Sequence, residues 1–176
     1  MTIEFARTFL NDPRITSEEF DEDGKTIELI SIGLCSDEGH EYEAVSREFD
    51  PLHCNDWVRE NVLGKLPPPG DLRWKLRSQI RDDILALVKS GSGRPVFYAY
   101  YADYDWVALC QLFGRMVDLP ADFPMYCRDL KQMLDDYDNL RKTDLPAQPE
   151  GTEHNAIDDA RWCRDGVLYI QKWCNR

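Results

Sequence analysis

The chain has no cysteine pair in a CxxC arrangement and no Cys/His spacing of the kind that holds structural zinc. Its six cysteines, Cys35, Cys54, Cys110, Cys127, Cys163 and Cys174, are scattered through apolar segments instead. That pattern points to reduced, mostly buried thiols and a cytoplasmic setting. No apolar run approaches the roughly 18 residues of a membrane-spanning helix, and no charged-then-apolar leader pattern is visible. The expectation is therefore a soluble protein without a membrane partner. Internal repeats and low-complexity tracts are lacking too. Basic charge is scarce, with 21 Lys and Arg against 33 Asp and Glu and a formal net charge of -12. This is a poor footprint for nucleic-acid binding that rests on clustered cationic side chains. It leaves open a nuclease in which carboxylates hold divalent cations and the cations supply the positive charge.

What is present suits one globular domain over residues 1–176, with residues 1–16 as an N-terminal strand or extension. At 176 residues and 43% hydrophobic content, the chain can bury a proper core. Residues 26–36 (TIELISIGLCS) and 41–49 (EYEAVSREF), joined by a short glycine-containing turn, read as an antiparallel hairpin. A further strand is expected before them, at residues 2–10 or 14–20. LPPPG at 66–70 separates the hairpin from a long helix. Asp71 is its expected cap, Leu72, Leu76, Ile80, Ile84 and Leu87 its apolar face, and Arg73, Arg77 and Arg81 a basic stripe. RPVFYAYY at 94–101 reads as a strand and residues 105–113 as a helix. Further helices are expected at about 128–140 and 155–174, around a proline- and glycine-containing loop at 144–152. Early strands followed by helices alternating with short strands make an α/β fold with a mixed sheet.

Two motifs carry chemistry. HNAIDDA at 154–160 places Asp159 in the first turn of the last helix. On one helix His154 and Asp159 would lie about 140° apart. With the helix opening at Asn155, His154 stays in the loop, free to lean over the same cleft. YADYDWVAL at 101–109 leads from a strand end into a helix bearing Asp105, and ligand sites in α/β sheets lie at such carboxyl ends. Each Asp can also be read as a plain helix-terminal acid. Taken together, two acids and a histidine near strand and helix ends suit two-metal phosphodiester hydrolysis. Hard Mg²⁺ or Mn²⁺ takes carboxylate oxygens, and a neutral imidazole takes a proton from water. Tyr101, Tyr104 and Trp106 are candidates to stack on nucleobases, with the core as their competing place.

HNAIDDA resembles the H-x4-D motif of DEDDh-type 3′-5′ exonucleases, and YADYDWVAL resembles their second acidic motif. DGKTIELISIG, EYEAVSREFDP, WVRENVLGKLPPP and YDWVALCQLFG resemble the ribonuclease AS branch, and the likeness covers most of residues 20–165. The resemblance implies a ribonuclease H-like fold with a mixed five-stranded sheet and helices on its faces. It implies degradation of single-stranded RNA from the 3′ end to 5′-nucleotides, with a preference for adenylate, and a homodimer. Asp105 and Asp159 would be metal ligands, His154 the general base and Asp158 an outer or capping residue. The first motif, Asp-x-Glu-Phe in the family, departs. In one placement SEEF at 17–20 aligns, so that Glu19 matches the acid and Ser17 replaces the Asp. In the other, FARTFL at 5–10 is the strand and Ala6 and Thr8 replace both carboxylates. The activity expected is a Mg²⁺- or Mn²⁺-dependent 3′-5′ exoribonuclease. The alternatives are a catalytically impaired module of the same fold that binds RNA or a protein partner, and the same enzyme acting on DNA.

Overall fold

A computed structural model describes residues 2–5, 28–91 and 93–174, the first of these segments through its backbone. Strand β1 (Thr2–Phe5) is followed by β2 (Ser31–Ser36) and β3 (Glu41–Ser46). Helix α1 (Asp56–Asn61), the short strand β4 (Trp74–Lys75) and helix α2 (Arg77–Ser90) come next. Strand β5 (Val96–Ala99) leads into α3 (Ala102–Phe113). The chain then forms the short strand β6 (Arg128–Asp129), α4 (Leu130–Asp135) and α5 (Ala156–Cys174).

The hairpin forms as expected: β2 and β3 are antiparallel, with Ile32 opposite Ala44 and Leu34 opposite Tyr42. The sheet holds six strands among the described residues, in the order β4-β3-β2-β1-β5-β6, where five were expected. Its outer strands, β4 and β6, are two residues long and pair parallel with β3 and β5. β1 lies between β2, to which it is antiparallel, and β5, to which it is parallel. The carboxyl ends of β1, β5 and β6 consequently open on the same edge of the sheet, where α/β folds place their ligands.

Strand alternation divides the core. Ile32, Leu34 and Phe97 pack with Ile80, Ile84 and Val88 of α2 and with Trp106 and Leu109 of α3. On the opposite face Cys35 packs against Ala156 and Ala160 of α5. Tyr98 joins Leu130 and Leu134 of α4 and Cys163, Val167 and Ile170 of α5. Gly33 permits the closeness of β2 and α5, because a Cβ there would stand 2.2 Å from the Ala156 carbonyl oxygen.

The helix after LPPPG begins six residues later than the position of its expected cap Asp71. Asp71 instead accepts from the Arg73 backbone N–H and from its guanidinium, each at 2.9 Å, in a turn that feeds β4. Arg73 also reaches Glu43 at 2.9 Å, so it belongs to the sheet edge and not to a helical stripe. Leu72 and Leu76, 90% and 45% exposed, stand off the core, whereas Ile80, Ile84 and Leu87 pack on it as expected, with Val88 beside them. The helix expected near 128–140 is six residues long. The cysteines are all free; Cys35, Cys54, Cys110 and Cys163 are buried, Cys127 is half-buried and Cys174 exposed. No helix among the described residues is long and apolar enough to cross a membrane.

Candidate active site

The turn between β5 and α3 carries the first of the two described motifs. Tyr101 sits in the left-handed region at φ 61°, ψ 56°, between Ala99 at the strand end and Ala102 at the helix start. Asp105 follows in the first turn of α3, where the exposed N–H ends favour an anion, and it is 2% exposed. The apolar residues around it, Trp106, Ala108 and Leu109, anchor the helix to the sheet. Trp106 packs against Phe97 with ring centroids 5.4 Å apart and is 8% exposed, so it is a core residue. Tyr101 and Tyr104, 39% and 47% exposed, retain faces that a base could meet.

Cys127 lies against the same turn. Burial first, and then the charges of Asp105, Asp129 and Asp103, push its thiol well above the ordinary range and keep it protonated.

The second motif opens α5. The helix starts at Ala156, and the Asn155 side chain accepts from the Asp158 N–H at 3.3 Å, so Asn155 is the cap the sequence suggests. His154 stands just outside the helix at φ 63°. Its ring meets the edge of Trp57 from α1, with centroids 4.9 Å apart and planes at 82°. Next to it the Lys65 ammonium donates to the Glu153 carbonyl. Asp159 accepts from the Gln148 amide at 2.7 Å, while Asp158 turns away to Arg161 at 2.7 Å. Asp158 therefore serves the outer face of α5, as its offset from the motif suggests.

Tyr101 and His154 are the two non-glycine residues with positive φ among the described residues. Left-handed backbone is unfavourable for residues with a Cβ, and such strain collects at functional sites. Here it falls at both motif turns and nowhere else in the described chain.

The first motif stands differently. Ser17, Glu19, Ala6 and Thr8 all lie outside the described residues. The strand that occupies the centre of the sheet is Thr2–Phe5, with Glu4 at the register position between Cys35 and Tyr98. Its tetrapeptide, T-I-E-F, repeats the x-Glu-Phe ending of S-E-E-F. That repeat was available in the sequence, and aligning the strand at Phe5 passes over it. Trp57, Asp129 and Gln148 also went unmarked. Asp129 had a visible signal, an acid directly before an apolar helix, whereas nothing local marks Gln148 or Trp57.

Fit to a metal is a matter of donor chemistry. Among the described residues no group of three or more His, Cys, Asp and Glu could hold an ion. The described part offers Asp105 and Asp159, hard oxygen donors on separate turns that suit Mg²⁺ or Mn²⁺ better than zinc. Both turns border a mixed sheet at the place where α/β enzymes bind ligands, an arrangement compatible with a metal-dependent hydrolase.

Comparison with known proteins agrees. Residues 15–171 match the profile of the 3′-5′ exoribonuclease Rv2179c-like domain. The 3′-5′ exoribonuclease Rv2179c of Mycobacterium tuberculosis strain H37Rv is 46% identical over 144 residues, which cover 81% of this chain and 83% of that protein. Its counterpart from strain CDC 1551 gives the same figures. A solved full-length 3′-exonuclease shares the fold at a TM-score of 0.54 and 15% identity, covering 98% of this chain and 82% of its own. The chain belongs to the 3′-5′ exoribonuclease Rv2179c-like domain family and is an enzyme of the exoribonuclease class.

Proposed function

We propose that the chain hydrolyses single-stranded RNA from its 3′ end to 5′-nucleotides in a Mg²⁺- or Mn²⁺-dependent reaction, with a preference for adenylate. The observation that carries this reading is the pair of left-handed turns at Tyr101 and His154, each introducing a helix whose early residues include a motif acid. Asp105, Asp159 and Glu19 would hold the cations. When bound, Mg²⁺ or Mn²⁺ supplies Lewis acidity at the scissile phosphate and offsets its charge.

The rest is done by the chain itself. His154, outside the helix and braced by Trp57, accepts the proton of the attacking water at a ring nitrogen. Gln148 holds one oxygen of Asp159 and thereby fixes the carboxylate's orientation. Tyr101 and Tyr104 offer exposed rings to the terminal bases. The family match starts at residue 15, which includes Ser17 and Glu19 and leaves Ala6 and Thr8 outside; this supports Glu19 as the first-motif acid. The arrangement is read as ribonuclease H-like and the active species as a cytoplasmic homodimer.

Incubation of 3′-terminal oligoadenylate with protein and Mn²⁺ should give a ladder that chelator and Asp159→Ala both abolish. No ladder at high protein concentration would sink the reading. It would favour the second one, a catalytically impaired RNA- or protein-binding module, for which Ser17 in the first motif speaks.

A further inference from the structure

The Asp129 carboxylate gathers three backbone N–H groups. Oδ1 accepts from Tyr101 at 3.1 Å and from Lys131 at 2.7 Å, and Oδ2 accepts from Ala102 at 3.1 Å. The Lys131 bond is an ordinary cap for α4. The other two cross to a separate element, 28 and 27 residues away in sequence. They grip the left-handed Tyr101, which caps α3, and Ala102, the first residue of that helix. A helix cap alone does not require them.

We infer that Asp129 is a positioning residue for the reaction: it holds the strained Tyr101–Ala102 turn closed and so fixes where Asp105 stands at the carboxyl edge of the sheet. The inference rests on the reading of Asp105 as a cation ligand given above. A tyrosine does not keep a left-handed backbone unaided, since its Cβ crowds the carbonyl. Two N–H groups aimed at one carboxylate supply the missing constraint, and bonds to an ionised acceptor are the stronger kind. With that constraint lost, the start of α3 relaxes and Asp105 moves with it. Small misplacements of such a group are expensive in rate.

The test uses Asp129→Asn in the full chain. With its carbonyl at the Oδ1 position, the amide keeps the bonds from Tyr101 and Lys131, but it turns an NH₂ toward the Ala102 N–H. The expected result is a kcat lower by about 10- to 100-fold with KM for oligoadenylate changed by less than about 3-fold. The half-saturating Mn²⁺ concentration should rise about tenfold, and amide exchange over residues 99–105 should quicken. Glycine adopts the left-handed turn freely, so in a Tyr101→Gly background the same Asn substitution should cost less than about 5-fold. If Asp129→Asn does not fold, Asp129→Ser, which keeps a cap for α4 but is too short for the fork, takes its place in the same cycle.

Unchanged kcat and Mn²⁺ dependence would reduce Asp129 to a helix cap and overturn the inference. An equal loss in both backgrounds would overturn it too, because Asp129 would then act by another route. A wild-type protein without metal-dependent activity overturns the underlying reading and this inference with it. That outcome is recognisable before any variant is made.

Discussion

The two motif turns share a plan and differ in what holds them. Each places a left-handed, non-glycine residue just ahead of a helix that carries an acid, Tyr101 before Asp105 and His154 before Asp159. The turn at Tyr101 is gripped through its main chain, by a carboxylate from the neighbouring strand. The turn at His154 is held mostly by side chains from distant segments: the edge of Trp57, the close approach of Gly33 to Ala156, the Lys65 ammonium on the Glu153 carbonyl and the Gln148 amide on Asp159. A main-chain grip fixes backbone direction whatever the side chain, which suits a ligand that must stand in one place. A packed turn depends on the volume and shape of its neighbours, so its weak points lie in α1 and β2, far along the chain from the histidine.

The largest expected effect treats the turns alike. Asp105→Ala and Asp159→Ala should each lower kcat/KM by on the order of 10³-fold or more. That corresponds to roughly 4 kcal/mol of transition-state stabilisation lost, a scale suited to removal of a metal ligand. Single-turnover assays on oligoadenylate measure both. A loss below tenfold at either position would mean that its turn does not carry a catalytic acid.

The next substitution separates the turns. In Gly33→Ala the new methyl group would stand 2.2 Å from the Ala156 carbonyl, a backbone atom that cannot swing aside. The start of α5 must lift from β2, at a cost of about 3 kcal/mol in stability by overpacking. Activity in the folded fraction should fall with it, since His154 and Asp159 ride on that segment. Amide exchange should rise at the start of α5 and stay unchanged at the start of α3. Denaturant unfolding and exchange by peptide report the two halves of this expectation.

Trp57→Leu acts more gently on the same turn. It removes the edge contact to His154 while keeping apolar bulk, and aromatic pairs contribute about 0.5–1.5 kcal/mol beyond burial. The expected result is a kcat reduced about tenfold with little change in KM. An unchanged kcat would show that the Trp57 contact does not matter to the placement of His154.

The contrast also explains how much the sequence revealed. The hairpin, β5, α3 and α5 were legible because alternation at 26–49 and helical spacing at 105–113 and 155–174 are local signals. The positions of Asp105 and Asp159 in the first turns of α3 and α5 follow from the same local spacing. The place of Asp71 was not, because a two-residue strand formed from Trp74 and Lys75 depends on a partner in β3 that local propensity does not register. Likewise Trp106 has the look of a stacking residue beside a motif, but Phe97 and the α3 core face claim it. Residues that act across elements, Asp129 on Tyr101 and Trp57 on His154, are set by tertiary pairing alone. The central strand shows the same limit in a sharper form. T-I-E-F and S-E-E-F are near-equivalent locally: the sheet holds the first, and the family match begins at residue 15 and takes in the second.

The smallest expected effect concerns what fastens α5 to the sheet from outside. Arg161 forks onto Glu41 of β3, with Nε to Oε1 at 2.9 Å and Nη2 to Oε2 at 2.5 Å, and its third arm reaches Asp158. The hydrogen-bonded Arg161 guanidinium holds the Glu41 carboxyl below its ordinary value of 4.5, against the opposing effect of partial burial. A carboxyl whose value is lowered by folding stabilises the fold above its unfolded value, and that contribution fades as pH falls through the folded one. Glu41→Gln should therefore lower Tm slightly near pH 7, and the difference from wild type should shrink as pH drops below about 4.5. The pair is largely exposed, so the effect should be within the range of surface ion pairs and should weaken in high salt. Activity should follow the stability of α5 and not the charge itself. A Tm difference that grows on acidification would show that Glu41 is not the ionised partner of Arg161 in the folded protein.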